Sequence, residues 1–145
     1  MAQISIVYWS GTGNTELMAQ KVAEGVRETG QEAVVLSVDL ADVSELKKAR
    51  AFALGCPSMG AEQLEETQME PFMCDLENGI GGKQIGLFGS FGWGGGEWMR
   101  DWEERVRNAG ASVVGEEGII VNGAPDEETE EKCKELGRAL AAAVS

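Results

Sequence analysis

Two rhythms of apolar and polar positions alternate along the chain. Short β-branched or apolar runs cover Ile4–Trp9, Ala33–Val38, Ala51–Gly55, Gln84–Ser90 and Ser112–Val121, the last interrupted at Gly115-Glu116-Glu117-Gly118. Their near-continuous apolar character predicts strands covered on both faces. Between and after them, apolar residues recur at helical spacing: Met18, Val22 and Val26, then Met99, Trp102 and Val106, then Cys133, Leu136, Leu140 and Val144. Each set predicts one buried helix stripe. The last helix follows Pro125-Asp126 and carries Glu127, Glu128 and Glu130 in its first turns, where carboxylates suit the positive end of the helix dipole. Strands interleaved with helices predict parallel pairing through right-handed crossovers, and so a three-layer, doubly wound α/β sandwich around a five-stranded sheet. No repeat, low-complexity segment or linker interrupts the pattern, so residues 1–145 read as a single domain.

Composition narrows the functions open to such a fold. The 145 residues are 43% hydrophobic and 26% charged, ordinary for a globular chain. Twelve basic against 25 acidic residues leave a net charge of −13, which repels phosphate backbones and anionic lipid and argues against nucleic acid or membrane as partners. No apolar run reaches bilayer length, and the start Met1-Ala2-Gln3-Ile4 lacks a basic flank, so a cytoplasmic location is expected. The chain has no histidine, which excludes Ser-His-Asp and Cys-His catalysis and histidine-ligated zinc. Cys56, Cys74 and Cys133 stand in no C-x-x-C spacing and cannot hold an iron-sulfur cluster; they read as buried or incidental thiols.

Ligands of doubly wound sheets bind beyond the carboxyl ends of the strands, and three loops at those ends carry chemistry. Ser10-Gly11-Thr12-Gly13-Asn14-Thr15 follows the first strand and opens a helix. Two glycines permit close backbone approach, hydroxyls supply donors, and a helix start presents free N–H groups to an anion. Glu16 replaces the third glycine of the dinucleotide fingerprint and no G-K-[ST] ending is present, so a terminal monophosphate fits better than a di- or triphosphate. A Gly/Ser/Thr turn that only caps the helix is the competing reading. The second loop, Cys56-Pro57-Ser58-Met59-Gly60-Ala61-Glu62, offers a thioether, a flexible peptide and a carboxylate. Taken singly, Met59 reads as core and Glu62 as a solvated charge. In the third loop, Gly89-Ser90-Phe91-Gly92-Trp93-Gly94-Gly95-Gly96-Glu97-Trp98, Trp93 stands between glycines with little local packing and suggests a planar ligand, whereas Trp98 and Trp102 have core spacing.

The segments Ile6-Val7-Tyr8-Trp9-Ser10-Gly11-Thr12-Gly13-Asn14-Thr15, Gly55-Cys56-Pro57-Ser58-Met59-Gly60 and Leu87-Phe88-Gly89-Ser90-Phe91-Gly92-Trp93-Gly94 resemble, in order and spacing, the short-chain bacterial flavodoxins of the clostridial type. The likeness covers essentially the whole chain. The strand order 2-1-3-4-5, with FMN at the switch point, is that of flavodoxin itself and comes with the resemblance. By the same resemblance, Ser10, Gly11, Thr12, Gly13, Asn14 and Thr15 match the phosphate loop, and Ser58 adds a polar contact nearby. Met59 and Trp93 match the side chains flanking the flavin ring, with Trp93 on its outer face. Gly60-Ala61 matches the peptide that reorients on reduction, and Glu62 the carboxylate bonding flavin N3. Backbone groups at Gly89, Ser90, Phe91, Gly92 and Gly94 match those along the ring's polar edge. Ala61 stands where some relatives have a polar residue, and Phe91 where many have tyrosine.

The resemblance implies a carrier of single electrons on non-covalently bound FMN, cycling mainly between neutral semiquinone and anionic hydroquinone. A unit charge ~10 Å away, at an effective dielectric of ~20, costs about 1.7 kcal/mol, or roughly 70 mV for one electron. With no cation in the three loops, the lower couple is expected at low potential. The acidic surface is expected to steer the chain, as a monomer, to redox proteins with basic docking patches, or serves solubility alone. An FMN-dependent reductase serving one enzyme or reducing quinones is the alternative. A phosphoacceptor receiver is disfavoured, because Gly55-Cys56-Pro57 stands where its aspartate would follow the third strand.

Overall fold

A computed structural model describes residues 3–60 and 62–144. Five helices and six strand segments alternate along it: β1 (Gln3–Tyr8), α1 (Asn14–Glu28), β2 (Glu32–Ser37), α2 (Val43–Lys48), β3 (Ala51–Gly55), α3 (Met69–Leu76), β4 (Gln84–Phe91), α4 (Glu97–Asn108), β5 (Ser112–Val113), β6 (Ile119–Asn122) and α5 (Glu127–Val144). The pairing is parallel throughout, in the order β2-β1-β3-β4-β5, with β6 also on β4. This is the expected 2-1-3-4-5 sheet. Its fifth member is split into β5 and β6 where the Gly115–Gly118 interruption was read. Val113 and Ile119 are six positions apart and their partners Ile85 and Phe88 only three, so three residues loop out. The buried Glu103 carboxylate holds that bulge by accepting the Gly118 N–H at 2.6 Å, and Arg100 pairs with Glu103 at 2.9 Å.

Side chains alternate across the strands and build one core on each face of the sheet. Ile4, Ile6, Ala51, Ala53 and Phe88 pack with the predicted α1 stripe and with Cys133, Leu136 and Leu140 of α5. On the other face Val7, Phe52, Leu54, Ile85 and Leu87 meet α3 and α4, including Trp98 and Trp102, each 1% exposed. Among the predicted stripe residues, only Val144 is partly buried rather than enclosed. The α1–α5 contact is backbone-close, because a Cβ at Gly25 would fall 2.0 Å from Lys134 O and one at Gly137 2.1 Å from Val22 O.

Two helices lie outside the periodic stripes. α2 has six residues and buries only Leu46; Asp42 caps it by accepting the Ser44 N–H at 2.9 Å. α3 has eight, with Pro71 in its first turn, where a missing N–H is tolerated. Its start is organised by Glu65, whose carboxylate accepts the N–H groups of Thr67 (2.7 Å), Gln68 (2.7 Å) and Met69 (3.1 Å) and the Thr67 hydroxyl.

Candidate functional site

At the carboxyl end of β1 the chain turns through 10–13 and enters α1. Gly13, the N-cap, has φ 98, a left-handed conformation suited to glycine, and provides no side-chain cap. Ser10 Oγ accepts the Gly13 N–H at 3.0 Å and so shapes the turn. Leu17 N bonds to Gly13 O, but the N–H groups of Asn14, Thr15 and Glu16 have no acceptor among the described residues. Three free amides at the positive end of a 15-residue helix form an anion cradle. Beneath it, the buried hydroxyls of Thr15 and Ser90 lie 3.3 Å apart, joining α1 to β4 across 75 positions. No side chain caps these amides.

The loop after β3 extends along β4 before turning back. Cys56 N donates to Phe88 O and Ser58 N to Ser90 O. Met59 and Gln63 then exchange backbone bonds of 2.9 and 3.0 Å, closing a tight hairpin that contains Gly60 (φ 49) and Glu62 (φ 55). Ala61 lies outside the described residues. Glu62 is half-buried rather than a solvated charge: its Oε1 accepts the N–H groups of Gly96 (3.1 Å) and Glu97 (2.9 Å) at the start of α4. Met59 is likewise only partly buried, on the site rather than in the core.

A groove of about 280 Å³ runs between these loops, lined by Trp9, Gly11, Thr12, Asn14, Pro57, Ser58, Met59, Ser90, Phe91, Gly92 and Gly123. It unites eight predicted residues from all three loops. Ser10, Gly13 and Thr15 shape or underlie the cradle, and Gly60, Glu62 and Gly94 are outside the lining. Trp93 is 63% exposed and outside the lining, with no aromatic partner. Phe91, which lacks a hydroxyl, packs on Trp98 with ring centroids 5.6 Å apart. Gly89 is outside the lining, and a Cβ there would meet Cys56 O at 2.1 Å.

Trp9, Pro57 and Gly123 were not foreseen in the groove. Trp9 read as the end of a strand, and its N–H does continue the ladder to Gly55 O, yet its ring lies against Gly11 and the groove. The turn pair Asn122-Gly123 after a strand was the available signal for the third. A larger depression of about 590 Å³ near Glu77, Asp101 and Arg105 lies on the helical flank and has no ring or glycine wall.

No basic side chain lines the groove, and the Cys56 thiol next to Pro57 is buried. Burial pushes Cys56 and Cys133 up to about 12, leaving Cys74 as the exposed cysteine. Tyr8 titrates above its ordinary value, through burial and then through the neighbouring Glu16 carboxylate.

A doubly wound parallel sheet with an anion cradle on its first helix, and an open, part-apolar groove beside that cradle, is the arrangement of a nucleotide-binding class of α/β protein. The sequence matches the flavodoxin family over residues 6–137. It is 46% identical over 140 residues to flavodoxin from Megasphaera elsdenii, covering 97% of this chain and 99% of that one. Identity is also 46% over 138 residues to flavodoxin from Clostridium beijerinckii, covering 95% and 99%. The fold superposes on the solution structure of two-electron reduced Megasphaera elsdenii flavodoxin with a TM-score of 0.87 at 45% identity, covering 96% of this chain and 98% of that one. The chain belongs to the flavodoxin family, and the two relatives it matches over nearly their full length are flavodoxins, FMN-binding electron-transfer proteins rather than enzymes. The site's donors fit that cofactor: uncommitted amides and hydroxyls for the phosphate, and a groove with ring and thioether walls for a planar system.

Proposed function

We propose that residues 1–145 act as one FMN-binding domain that carries single electrons at low potential, on the semiquinone/hydroquinone couple. Ser10, Gly11, Thr12, Gly13, Asn14 and Thr15 hold the phosphate, with the Thr15–Ser90 hydroxyl pair beneath it. Ser58, Met59, Gly60 and Glu62 bound one side of the ring, and Ser90, Phe91, Gly92, Trp93 and Gly94 the other. The observation that carries the reading is the cradle of three unpaired amides beside a groove without a cation. FMN supplies the redox chemistry; the chain's part is to bind the three oxidation states unequally. Tenfold weaker binding of the more reduced form lowers a one-electron potential by about 59 mV. A wall without cations disfavours the anionic reduced form.

The charge layout supports docking to redox proteins with basic patches. The first turns of α1, α2, α4 and α5 hold Glu16, Glu45, Glu97, Glu127, Glu128 and Glu130, whereas Arg27, Lys47, Lys48, Arg105 and Arg107 lie in last turns. The helix starts at the cofactor end are thus acidic, which favours encounters with a basic partner there. Leu17, Leu40 and Trp93 are the exposed large apolar residues among those described; so few, on chains that each carry −13, are in keeping with a monomer. No helix among the described residues is long and apolar enough to cross a membrane. A cytoplasmic setting agrees with three unpaired cysteines.

Anaerobic reduction of the FMN-loaded protein, followed by visible absorbance, tests the proposal. A blue neutral semiquinone accumulates midway, and the second couple lies below that of free FMN. Direct passage from yellow to colourless points instead to two-electron reductase chemistry, and a second couple at or above free FMN refutes the low-potential reading.

A further inference from the structure

One carboxylate ties together the two loops on either side of the groove. Glu62, at the turn of the 59–63 hairpin, accepts the N–H groups of Gly96 and Glu97 from 34 and 35 positions away. Gly96 is the N-cap of α4 and has no side chain to cap with, so Glu62 fills that role in its place. The contact is close: a Cβ at Gly94 would stand 2.6 Å from Glu62 Cδ and 2.8 Å from each carboxylate oxygen. At the loop's other end Cys56 O accepts the Trp98 indole N–H at 3.0 Å. The first turn of α4 therefore anchors both ends of the segment whose middle, Pro57 to Met59, is a groove wall. Trp93 lies between Gly92, which lines the groove, and Gly94, against which Glu62 rests.

We infer that Glu62 is a positioning residue that makes the 59–63 hairpin and the Trp93 turn a single unit, so that the contact of Trp93 with the cofactor depends on the Glu62 carboxylate. This rests on the proposed placement of Trp93 against FMN. Gly92, Gly94, Gly95 and Gly96 give the turn no stiffness of its own. Without the strap, ordering the turn and the indole is a cost paid at binding.

A double-mutant cycle on FMN affinity separates this from two independent contacts. Wild type, E62A, W93A and E62A/W93A are titrated by flavin fluorescence. Each single variant is expected to bind roughly tenfold more weakly, and the double variant at least ~3-fold more tightly than the product of the single losses, since Trp93 is already released in E62A. E62Q, which keeps an acceptor for the α4 amides, restores the full cost of W93A. Losses that multiply to within ~3-fold overturn the inference while leaving the Trp93 assignment intact. If W93A binds like wild type, that assignment fails, and backbone relaxation decides the strap: order parameters at Trp93 and Gly95 fall below about 0.6 in E62A and recover in E62Q. Unchanged order parameters overturn the inference whichever way the affinities fall.

Discussion

Substituting Glu65 with glutamine probes the buried carboxylate that starts α3 and closes the cofactor loop. Glu65 is 5% exposed and accepts from the amides of Thr67, Gln68 and Met69 and from the Thr67 hydroxyl, while its own N–H reaches Cys56 Sγ at 3.5 Å. Glutamine keeps one carbonyl oxygen and turns an NH2 group toward donors, so about half of these bonds are lost. At ~1.5 kcal/mol for each bond to a charged group, E65Q costs about 3 kcal/mol at neutral pH, roughly a 150-fold change in the folding equilibrium. Burial pushes the Glu65 carboxyl up, but the Thr67 hydroxyl and the three amides outweigh it and hold it below its ordinary value of 4.5. A carboxyl lowered in the folded state contributes stability that is complete above the unfolded value and is lost as pH falls through the folded one. The gap between wild type and E65Q is therefore widest at pH 7 and narrows as pH falls from 4.5 through the lower folded value, where wild type becomes protonated and resembles glutamine. Urea unfolding of both proteins at one saturating FMN concentration, with unchanged m-values, measures the gap. A loss under ~1 kcal/mol at pH 7, or an equal gap in acid, refutes the reasoning.

Two further outcomes follow from the packing. Gly25→Ala gains about 1 kcal/mol of helix propensity, yet sets a methyl 2.0 Å from the Lys134 carbonyl, a backbone group that cannot rotate away; a net loss of about 1–2 kcal/mol in urea with unchanged FMN affinity is expected. With Cys56 and Cys133 pushed up to about 12 by burial, a thiol reagent at ~pH 8 modifies Cys74 alone in the native protein and all three cysteines in urea, which absorbance of the released chromophore counts.

Much of the fold was legible because its signals are local. Strand runs, three helix stripes and the Gly115–Gly118 interruption depend on residues within a turn or two of one another, and each appears where its pattern lies. α2 and α3, with six and eight residues, complete too few turns for a period to emerge. Glu65, within Leu64-Glu65-Glu66-Thr67, looks like surface charge until α3 is known to begin at Met69. The acid ahead of a short apolar run was the available hint.

The cofactor site divides along the same line. Sequence alone determined the glycine- and hydroxyl-rich loop at a helix start, the absence of histidine chemistry, the acidic charge and the indole set between glycines, because composition and order carry these without reference to distant residues. Only the tertiary structure decided that the Thr15 hydroxyl meets Ser90, that the Trp9 ring lines the groove, that Gly89 makes room for Cys56, and that Glu62 holds α4. The Thr15–Ser90, Gly89–Cys56 and Glu62–α4 pairings join positions 33 to 75 apart. Sheet order and helix docking bring them within hydrogen-bonding or van der Waals reach, and no spacing along the chain encodes them.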